Sequence, residues 1–279
     1  MNRREALKLG NKILAENKID DASLEAEILL RHTLNIDRAS LFVDYDATLS
    51  TQHQADFLNK IARRAEGVPN AYITSVQEFY GLNFYVDSNV LIPRPETELL
   101  VEKAIEVARN YDSPLIVDVG TGCGNIAVSL AANLPKARIF ATDISEKALE
   151  VAEHNCKKHN VSKQIRLVVG DLLEPLDGPI DIIVANLPYV RTADLPTVNT
   201  NGFEPRIALD GGVDGLEVIR PLCEQVEGKL KRGGTLLLEI GLRQKDNLIA
   251  YLIGLFPDAR IETARDLAGI DRVVCITRR

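Results

Sequence analysis

Short, uninterrupted apolar runs alternate with helical stretches from about residue 99 onward. Runs of this kind are typical of strands buried on both faces, so they predict a parallel sheet covered by helices. The last two runs, Arg260–Ala264 and Arg272–Thr277, lie on either side of Gly269 and predict a closing antiparallel pair. The other predicted strands are Leu115–Val119, Ala137–Thr142, Ile165–Val169, Ile180–Ala185 and Thr235–Ile240, and the predicted helices cover residues 124–134, 145–160 and 214–231.

Residues 1 to about 74 show a helical period instead. Apolar residues recur there every three or four positions, which predicts three amphipathic helices. Asp20 and Asp21 stand where a helix N-terminus favours acids, and Gly67 with Pro69 ends the third helix, which begins near Thr51. The predicted buried faces consist of Ala6, Leu9, Ile13 and Leu14, then Leu24, Ile28, Leu29 and Leu34, then Phe57, Leu58 and Ile61.

The period changes again between Tyr72 and Val90. Aromatic residues flank Gly81-Leu82 there, which predicts a β-hairpin. The following segment, Leu91–Glu98, contains two prolines that favour an extended entry into the next helix. We therefore predict an all-α domain at 1–74, a β-hairpin linker at 75–92 and an α/β domain at 93–279.

Composition and charge narrow the class of protein. A chain of 279 residues with 46% hydrophobic and 26% charged residues is typical of a soluble protein of two domains. The net charge of −7 argues against a protein that coats nucleic acid or anionic membranes. The four cysteines lack metal-ligand spacing, and no apolar run approaches the length of a membrane span. We expect a cytoplasmic protein with reduced thiols and no metal.

A glycine-rich turn follows the first strand of the α/β domain. It reads Asp118-Val119-Gly120-Thr121-Gly122-Cys123-Gly124, and a helix is predicted to open at Asn125. Glycines allow a tight turn and close approach of a ligand, and a helix N-terminus presents free N–H groups. The spacing differs from the dinucleotide fingerprint Gly-x-Gly-x-x-Gly. The pattern Asp-x-Gly-x-Gly-x-Gly resembles the cofactor loop of class I methyltransferases, which bind S-adenosylmethionine (SAM).

Acidic residues end the next two predicted strands. Asp143 is placed to accept both ribose hydroxyls of a nucleoside ligand. The alternative for Asp143 is an N-cap of the helix near Glu146, a role that Ser145 could fill instead. Asp171-Leu172 stands where class I methyltransferases place contacts to adenine, and the alternative there is a simple turn.

The strand Ile180–Ala185 ends abruptly in the tetrapeptide Asn186-Leu187-Pro188-Tyr189. Asn186 offers a side-chain carbonyl, Leu187 a backbone carbonyl and Tyr189 a flat ring with a polar tip. These groups could hold a planar NH2 by both hydrogens, with Tyr189 stacked on its plane, so that positioning and preorganised acceptors favour methyl transfer. In a doubly wound sheet this turn and the glycine turn face one crevice. The alternative is a turn that merely ends the strand.

Taken together, these segments resemble the peptide chain release factor glutamine methyltransferases, the PrmC/HemK family, over nearly the whole chain. Relatives have proline at the position of Leu187 and commonly glycine at that of Ser75. The resemblance implies a class I SAM-dependent methyltransferase fold, Rossmann-like, with a mostly parallel seven-stranded sheet and an antiparallel last strand. It rests on residues 21–27, Glu78–Gly81, Leu91–Glu98, Asp118–Gly124, Asn186–Tyr189, Phe203–Arg206, Asp210–Gly212 and Asp266–Arg272.

The family implies transfer of a methyl group from SAM to the glutamine side-chain amide in the Gly-Gly-Gln loop of class I release factors. The helical N-terminal domain would bind the release factor, and neither membrane nor direct nucleic-acid binding is expected. Arg94 is either a substrate contact or a structural ion-pair member. The implied SAM-binding residues are Gly120, Thr121, Gly122, Cys123, Gly124, Asp143, Asp171, Leu172 and Asn186, and the implied catalytic and substrate-binding residues are Asn186, Leu187, Pro188 and Tyr189.

Three alternative functions remain at this point. An enzyme that methylates exocyclic amines of nucleic-acid bases shares the tetrapeptide, but it needs basic surface, and no long Lys/Arg run is present. A non-catalytic SAM-binding adaptor would keep its biological effect without Asn186. A nicotinamide dehydrogenase is disfavoured by the glycine spacing.

Overall fold

The computed structural model describes residues 1–198 and 201–279, which form two compact units, Met1–Val76 and Gln77–Arg279. None of the helices in these residues is long and apolar enough to cross a membrane. The first unit is helical and the second contains the large sheet. We describe each unit by itself.

Helices alone make up the first unit up to Thr74. Side chains cap three of them: Asn2 accepts from the Glu5 N–H, Asp37 from Ser40 and Ser50 from His53. By contrast, Asp21 precedes its helix without a side-chain capping bond. The helices are α1 Arg3–Glu16, α2 Ala22–Leu34, α3 Arg38–Val43, α4 Thr51–Ala65 and α5 Asn70–Thr74.

Fewer apolar residues are buried in the core of this unit than the apolar pattern predicted. A Cβ built at Gly10 would lie 2.9 Å from Phe57 Cζ, so α1 packs closely against α4 at this glycine. The face of α1 that packs inward therefore runs through Ala6, Gly10 and Leu14, and Leu9 is turned outward. The prediction of burial was wrong for Leu9, Leu24, Ile28 and Leu58, which are all exposed.

Ser75 ends α5 in a left-handed conformation, with φ +55°. Glycine adopts this conformation without a steric cost, whereas a residue with a Cβ does so at some expense. This conformation gives a physical reason for the glycine that the family resemblance predicts at this position. Serine keeps the turn here at a modest cost in backbone strain.

The second unit begins with the predicted hairpin and continues as alternating strands and helices. The hairpin strands β1 and β2 pair only with each other. A 3-10 turn at Pro95–Thr97 leads from the proline-containing segment into α6. The elements are β1 Val76–Phe79, β2 Leu82–Tyr85, α6 Glu98–Ala108, β3 Leu115–Val119, α7 Asn125–Asn133, β4 Arg138–Asp143, α8 Glu146–Lys158, β5 Ile165–Val169, β6 Ile180–Ala185, α9 Leu195–Val198, α10 Ile219–Val226, β7 Leu230–Glu239, α11 Lys245–Leu255, β8 Arg260–Arg265 and β9 Asp271–Thr277.

Seven strands form one sheet in the order β5-β4-β3-β6-β7-β9-β8. Strands β3 to β7 are parallel, and β9 runs antiparallel to both β7 and β8. Apolar residues of α6, α7 and α8 cover one face, and those of α10 and α11 cover the other. The predicted fold is confirmed. The winding order switches between β3 and β6, which places a ligand-binding crevice at their carboxyl ends.

Two predictions in this unit were wrong. The helix predicted at 214–231 covers only Ile219–Val226, because Gly215 adopts a left-handed φ of +78° before it and Leu230 already pairs with Ile180 of β6 after it. Strand β7 therefore starts at Leu230 rather than at Thr235. Helix α11 was not predicted. Its residues Leu248, Tyr251, Leu252 and Leu255 pack on the core at helical spacing, but the exposed Ile253 extends the apolar run beyond that face and obscures the pattern.

Candidate active site

The two sequence motifs meet at the carboxyl end of the sheet. Val119 of β3 pairs with Ala185 of β6, so the glycine turn and Asn186 leave neighbouring strands side by side. A cavity of about 720 Å³ opens between them, a volume within the usual range for small-ligand sites. Of the predicted site residues, the cavity is lined by Arg94, Gly120, Thr121, Gly122, Cys123, Asp143, Asp171, Leu172, Asn186, Leu187 and Pro188.

The glycine turn touches the tetrapeptide directly. Gly120 has a φ of +70°, and a Cβ built on it would lie 2.8 Å from Leu187 Cδ2. Gly122 also has a positive φ, but nothing lies within 4 Å of its Cβ position. Glycine at 120 therefore allows contact with Leu187, whereas glycine at 122 is required by its backbone conformation and borders the cavity.

Asp118 stabilises the glycine turn through buried hydrogen bonds. It is completely buried, and one of its oxygens accepts hydrogen bonds from Thr121 Oγ1 at 2.6 Å and from the Ala127 N–H at 3.1 Å. Burial raises the pKa of Asp118 to about 7, although these two hydrogen bonds lower it in part. Asp118 does not line the cavity, and we assign it the role of fixing the loop to the start of α7.

Asp143 lies at the edge of the cavity, and both of its carboxylate oxygens accept hydrogen bonds from backbone N–H groups. It accepts from the Gly122 N–H and from the Ser145 N–H, each at 2.9 Å. The N-cap of α8 is Ser145, whose hydroxyl accepts from the Ala148 N–H at 3.2 Å. Burial raises the pKa of Asp143 and the backbone hydrogen bonds lower it. A carboxylate has about four acceptor sites, so Asp143 can still receive ligand hydroxyls.

Asp171 and Leu172 form the far wall of the cavity. Leu172 has a φ of +48°, and its carbonyl accepts from Thr142 Oγ1 at 2.9 Å. The turn after β5 is thereby tied to the end of β4, which positions both residues beside Asp143.

Asn186 directs the NH2 of its amide to Thr97, a buried residue that also borders the cavity. Its Nδ2 donates to Thr97 Oγ1 at 3.0 Å. No donor among the described residues reaches its Oδ1 or the backbone carbonyl of Leu187, and both residues line the cavity. Two carbonyl acceptors therefore stand beside the glycine turn without a protein partner.

Family models match both parts of the chain. The PrmC N-terminal domain matches residues 5–74, and the methyltransferase small domain matches residues 95–201. A release factor glutamine methyltransferase from Moorella thermoacetica is 41% identical to the chain, covering 100% of the chain and 99% of the relative. The chain belongs to the release factor glutamine methyltransferase family.

Further comparisons agree with this assignment. The release factor glutamine methyltransferase of Geobacter sulfurreducens is 40% identical, covering 94% of the chain and 91% of the relative. A methyltransferase from Pyrococcus furiosus has a similar fold, with a TM-score of 0.53 at 18% identity over 77% of the chain and 97% of that protein. The predictions of the family and of a methyltransferase enzyme are confirmed.

In this methyltransferase Tyr189 lies behind the cavity wall rather than lining it. Its hydroxyl donates to Glu239 Oε1 at 3.1 Å, and its carbonyl accepts from Gln244 Nε2 at 2.8 Å. Burial and the neighbouring Glu239 raise the pKa of Tyr189. The predicted stacking of Tyr189 on the substrate stays a prediction.

Arg94 of the methyltransferase is an ion-pair member that also lines the cavity. Its guanidinium donates to Glu204 Oε2, and Glu204 Oε1 accepts from the Ile92 N–H at 3.1 Å. Glu204 is buried, so the pair fastens the Ile92–Glu98 segment to the Phe203–Arg206 segment. The ion-pair role is present in the structure, and the other predicted role, a substrate contact, stays a prediction.

Glycines of the Asp210–Gly212 segment let it pack against the tetrapeptide. A Cβ built at Gly211 would lie 2.6 Å from the Pro188 carbonyl oxygen and 2.8 Å from Tyr189 Cα. The Gly211 N–H also donates to the Val190 carbonyl at 2.8 Å. This close backbone contact excludes larger residues and braces the turn that carries Asn186.

Sequence reasoning missed three residues of the methyltransferase site: Thr97, Glu239 and Gln244. Each is buried and hydrogen-bonded to the tetrapeptide or to a residue that holds it. One signal was available, because Glu239 ends a parallel apolar strand as Asp143 does. The contacts of Thr97 and Gln244 carry no such local signal.

Proposed function

We propose that the chain transfers a methyl group from SAM to the side-chain amide nitrogen of the glutamine in the Gly-Gly-Gln loop of class I translation release factors. One observation carries the proposal. The unpaired Asn186 Oδ1 and Leu187 carbonyl share a cavity with the glycine turn, and Leu187 contacts Gly120 directly. An acceptor for an NH2 group and a candidate cofactor loop thus stand side by side.

The residues around the cavity suit SAM. Gly122 leaves its side open, Asp143 offers a carboxylate for ribose hydroxyls, and Asp171 with Leu172 forms a wall for the adenine. When bound, SAM supplies an activated methyl group with a good leaving group. The protein then has to hold the acceptor nitrogen in line with that methyl group.

Asn186 and Leu187 would orient the substrate amide. Accepting one hydrogen at Asn186 Oδ1 and the other at the Leu187 carbonyl turns the nitrogen lone pair toward the methyl donor, which favours transfer through positioning and preorganised acceptors. Leu187 is 4% exposed and packs on Gly120.

Exposed apolar residues on the helical unit support a role for residues 1–74 in binding the release factor. Val43 is 81% exposed, Leu24 49% and Phe42 46%. Phe42 and Val43 are neighbours in the chain, and exposed apolar side chains that lie together commonly mark a protein interaction site. The net charge of −7 also suits a protein partner better than bare nucleic acid.

The proposal is tested by incubating the full chain with methyl-labelled SAM and a purified class I release factor, then mapping the label by mass spectrometry. We expect label on the glutamine of the Gly-Gly-Gln loop. Asn186→Ala should reduce kcat by about 10²-fold or more, as loss of one preorganised catalytic group does. Asn133→Ala, which removes an exposed amide at the end of α7, is the matched control and should be unaffected. Label on another residue, or full activity of Asn186→Ala, would refute the proposal.

A further inference from the structure

Buried polar side chains lie between the end of β7 and both polar residues of the tetrapeptide. We infer that Glu239 is a positioning residue, which sets the hydrogen-bonding direction of the Asn186 amide through Thr97 and anchors Tyr189. This inference rests on the proposed function, because it concerns how Asn186 comes to present an acceptor.

Three separate elements bring these groups together. Glu239 is the last residue of β7, and the preceding residue, Leu238, pairs with Ala185, directly before Asn186. Thr97 comes from the 3-10 turn before α6. Glu239 and Thr97 are each only 1% exposed. Thr97 borders the cavity but Glu239 does not, so water has little access to Glu239, and the donors and acceptors around it must match one another.

The direction of each hydrogen bond follows from the carboxylate. Ionised Glu239 can only accept. Its Oε1 receives the Tyr189 hydroxyl at 3.1 Å, and its buried Oε2, which has no partner of standard geometry among the described residues, is the acceptor that we assign to the neighbouring Thr97 hydroxyl. The Thr97 hydroxyl has one hydrogen, so when it donates to Glu239 it can only accept from Asn186. Asn186 accordingly gives its Nδ2 to Thr97 at 3.0 Å. Its Oδ1 is left for the cavity, as an acceptor of substrate hydrogens.

A glutamine side chain in place of Glu239 would remove this control. Its amide replaces one of the two accepting oxygens by a donating NH2, so one of the two hydroxyls then faces a donor instead of an acceptor. Donation from that NH2 to Thr97 frees the Thr97 hydrogen to bond Asn186 Oδ1. The Asn186 amide then turns its NH2 toward the NH2 of the substrate, and two donors face each other without an acceptor.

The protonation state of Glu239 should act in the same way. Burial raises the pKa of Glu239 to about 7. The charged and titratable groups that face it are Tyr189, Arg272 on β9, whose charge lowers this pKa, and Glu96, whose charge raises it. A protonated Glu239 can donate to Thr97, as glutamine can. We expect kcat to fall as the pH drops below about 7, with Glu239 as the titrating group.

The experiment compares full-length variants with methyl-labelled SAM and a purified class I release factor over a range of pH. Glu239→Gln and Thr97→Val should each lower kcat by about tenfold or more, while Kd for SAM and KM for the release factor change by less than about twofold. Glu239→Gln should also lose the acid limb of the pH profile. Thr97→Ser restores a hydroxyl and should recover most of the activity.

Asp181→Asn is the matched control. Asp181 is a buried acid at the opposite end of the sheet, where it accepts from the Leu115 N–H at 2.8 Å and from Lys231 Nζ at 2.6 Å. We expect its kcat and pH profile to equal those of the wild type.

The outcomes separate the two hypotheses. The positioning role alone would be overturned if Asn186→Ala were inactive while Glu239→Gln and Thr97→Val kept the wild-type kcat and an unchanged acid limb of the pH profile. If Glu239→Gln and Thr97→Val both lost affinity for SAM, Glu239 and Thr97 would have only a structural role, and the positioning role would be overturned as well. Full activity of Asn186→Ala would instead refute the proposed function.

Discussion

Replacing Glu239 by glutamine should make the protein more stable at alkaline pH, even though it is expected to impair catalysis. Glu239 is almost fully buried, and one of its oxygens, Oε2, has no hydrogen-bond partner of standard geometry among the described residues. A carboxylate in such a position is poorly solvated, which is why its pKa rises from 4.5 to about 7. Glutamine has a similar shape and carries no charge at any pH.

The magnitude follows from the linkage between proton binding and folding. Between pH 4.5 and about 7 the folded protein keeps a proton on Glu239 that the unfolded chain has released. The stability that this proton confers is complete below pH 4.5 and is lost as the pH rises through about 7. At about pH 8 the loss amounts to about 3 kcal/mol. The glutamine variant does not suffer this loss.

The assay is urea unfolding of wild type and Glu239→Gln at about pH 5 and about pH 8, analysed as the difference in unfolding free energy between the two proteins. The difference should shift by about 3 kcal/mol in favour of glutamine between these values. Asp118, whose pKa is also about 7, is present in both proteins and cancels. A difference that is independent of pH would show that Glu239 is not buried as an ionisable group, and the reasoning would fail.

Two further predictions concern the cofactor loop and the partner surface. Gly120→Ala forces a Cβ to within 2.8 Å of Leu187 at a φ of +70°, so Kd for SAM measured by calorimetry should rise by about tenfold or more. Gly228→Ala, with open space at its Cβ position, is the control, and equal affinities would contradict the role of the contact. Val43→Asp should raise KM for the release factor by about fivefold or more without changing KM for SAM. The control is Ile253→Asp on α11, where Ile253 is 56% exposed, and it should change neither KM. An equal rise in the KM for the release factor in Ile253→Asp and Val43→Asp would argue against a specific surface.

Local sequence patterns were sufficient for much of the architecture. The runs at Leu115–Val119 and Ile180–Ala185 are strands with the predicted bounds, because a buried parallel strand leaves an uninterrupted apolar run. Their adjacency was also predictable, since both precede polar turns at the switch in winding order. The cavity shared by the glycine turn and Asn186 follows from these two facts.

In two segments, tertiary packing and not the local apolar period determined the structure. Leu9 follows the helical period of α1, but Gly10 allows close packing against α4, and the buried face of α1 therefore includes Gly10 instead of Leu9. The run at 214–231 reads as helical throughout. Pairing of Leu230 with Ile180 nevertheless draws its end into β7. Neither outcome is encoded in the spacing of apolar residues along one segment.

The sequence by itself determined the class of fold, the family and the two motifs at the carboxyl end of the sheet, because each depends on residues that are close together in the chain. Only the tertiary structure decided which way the Asn186 amide points. That choice depends on Thr97, 89 residues away, and, by our inference, on Glu239 from another strand, because buried donors and acceptors have to match one another. Such matching joins segments that are distant along the chain, so no local pattern could have revealed it.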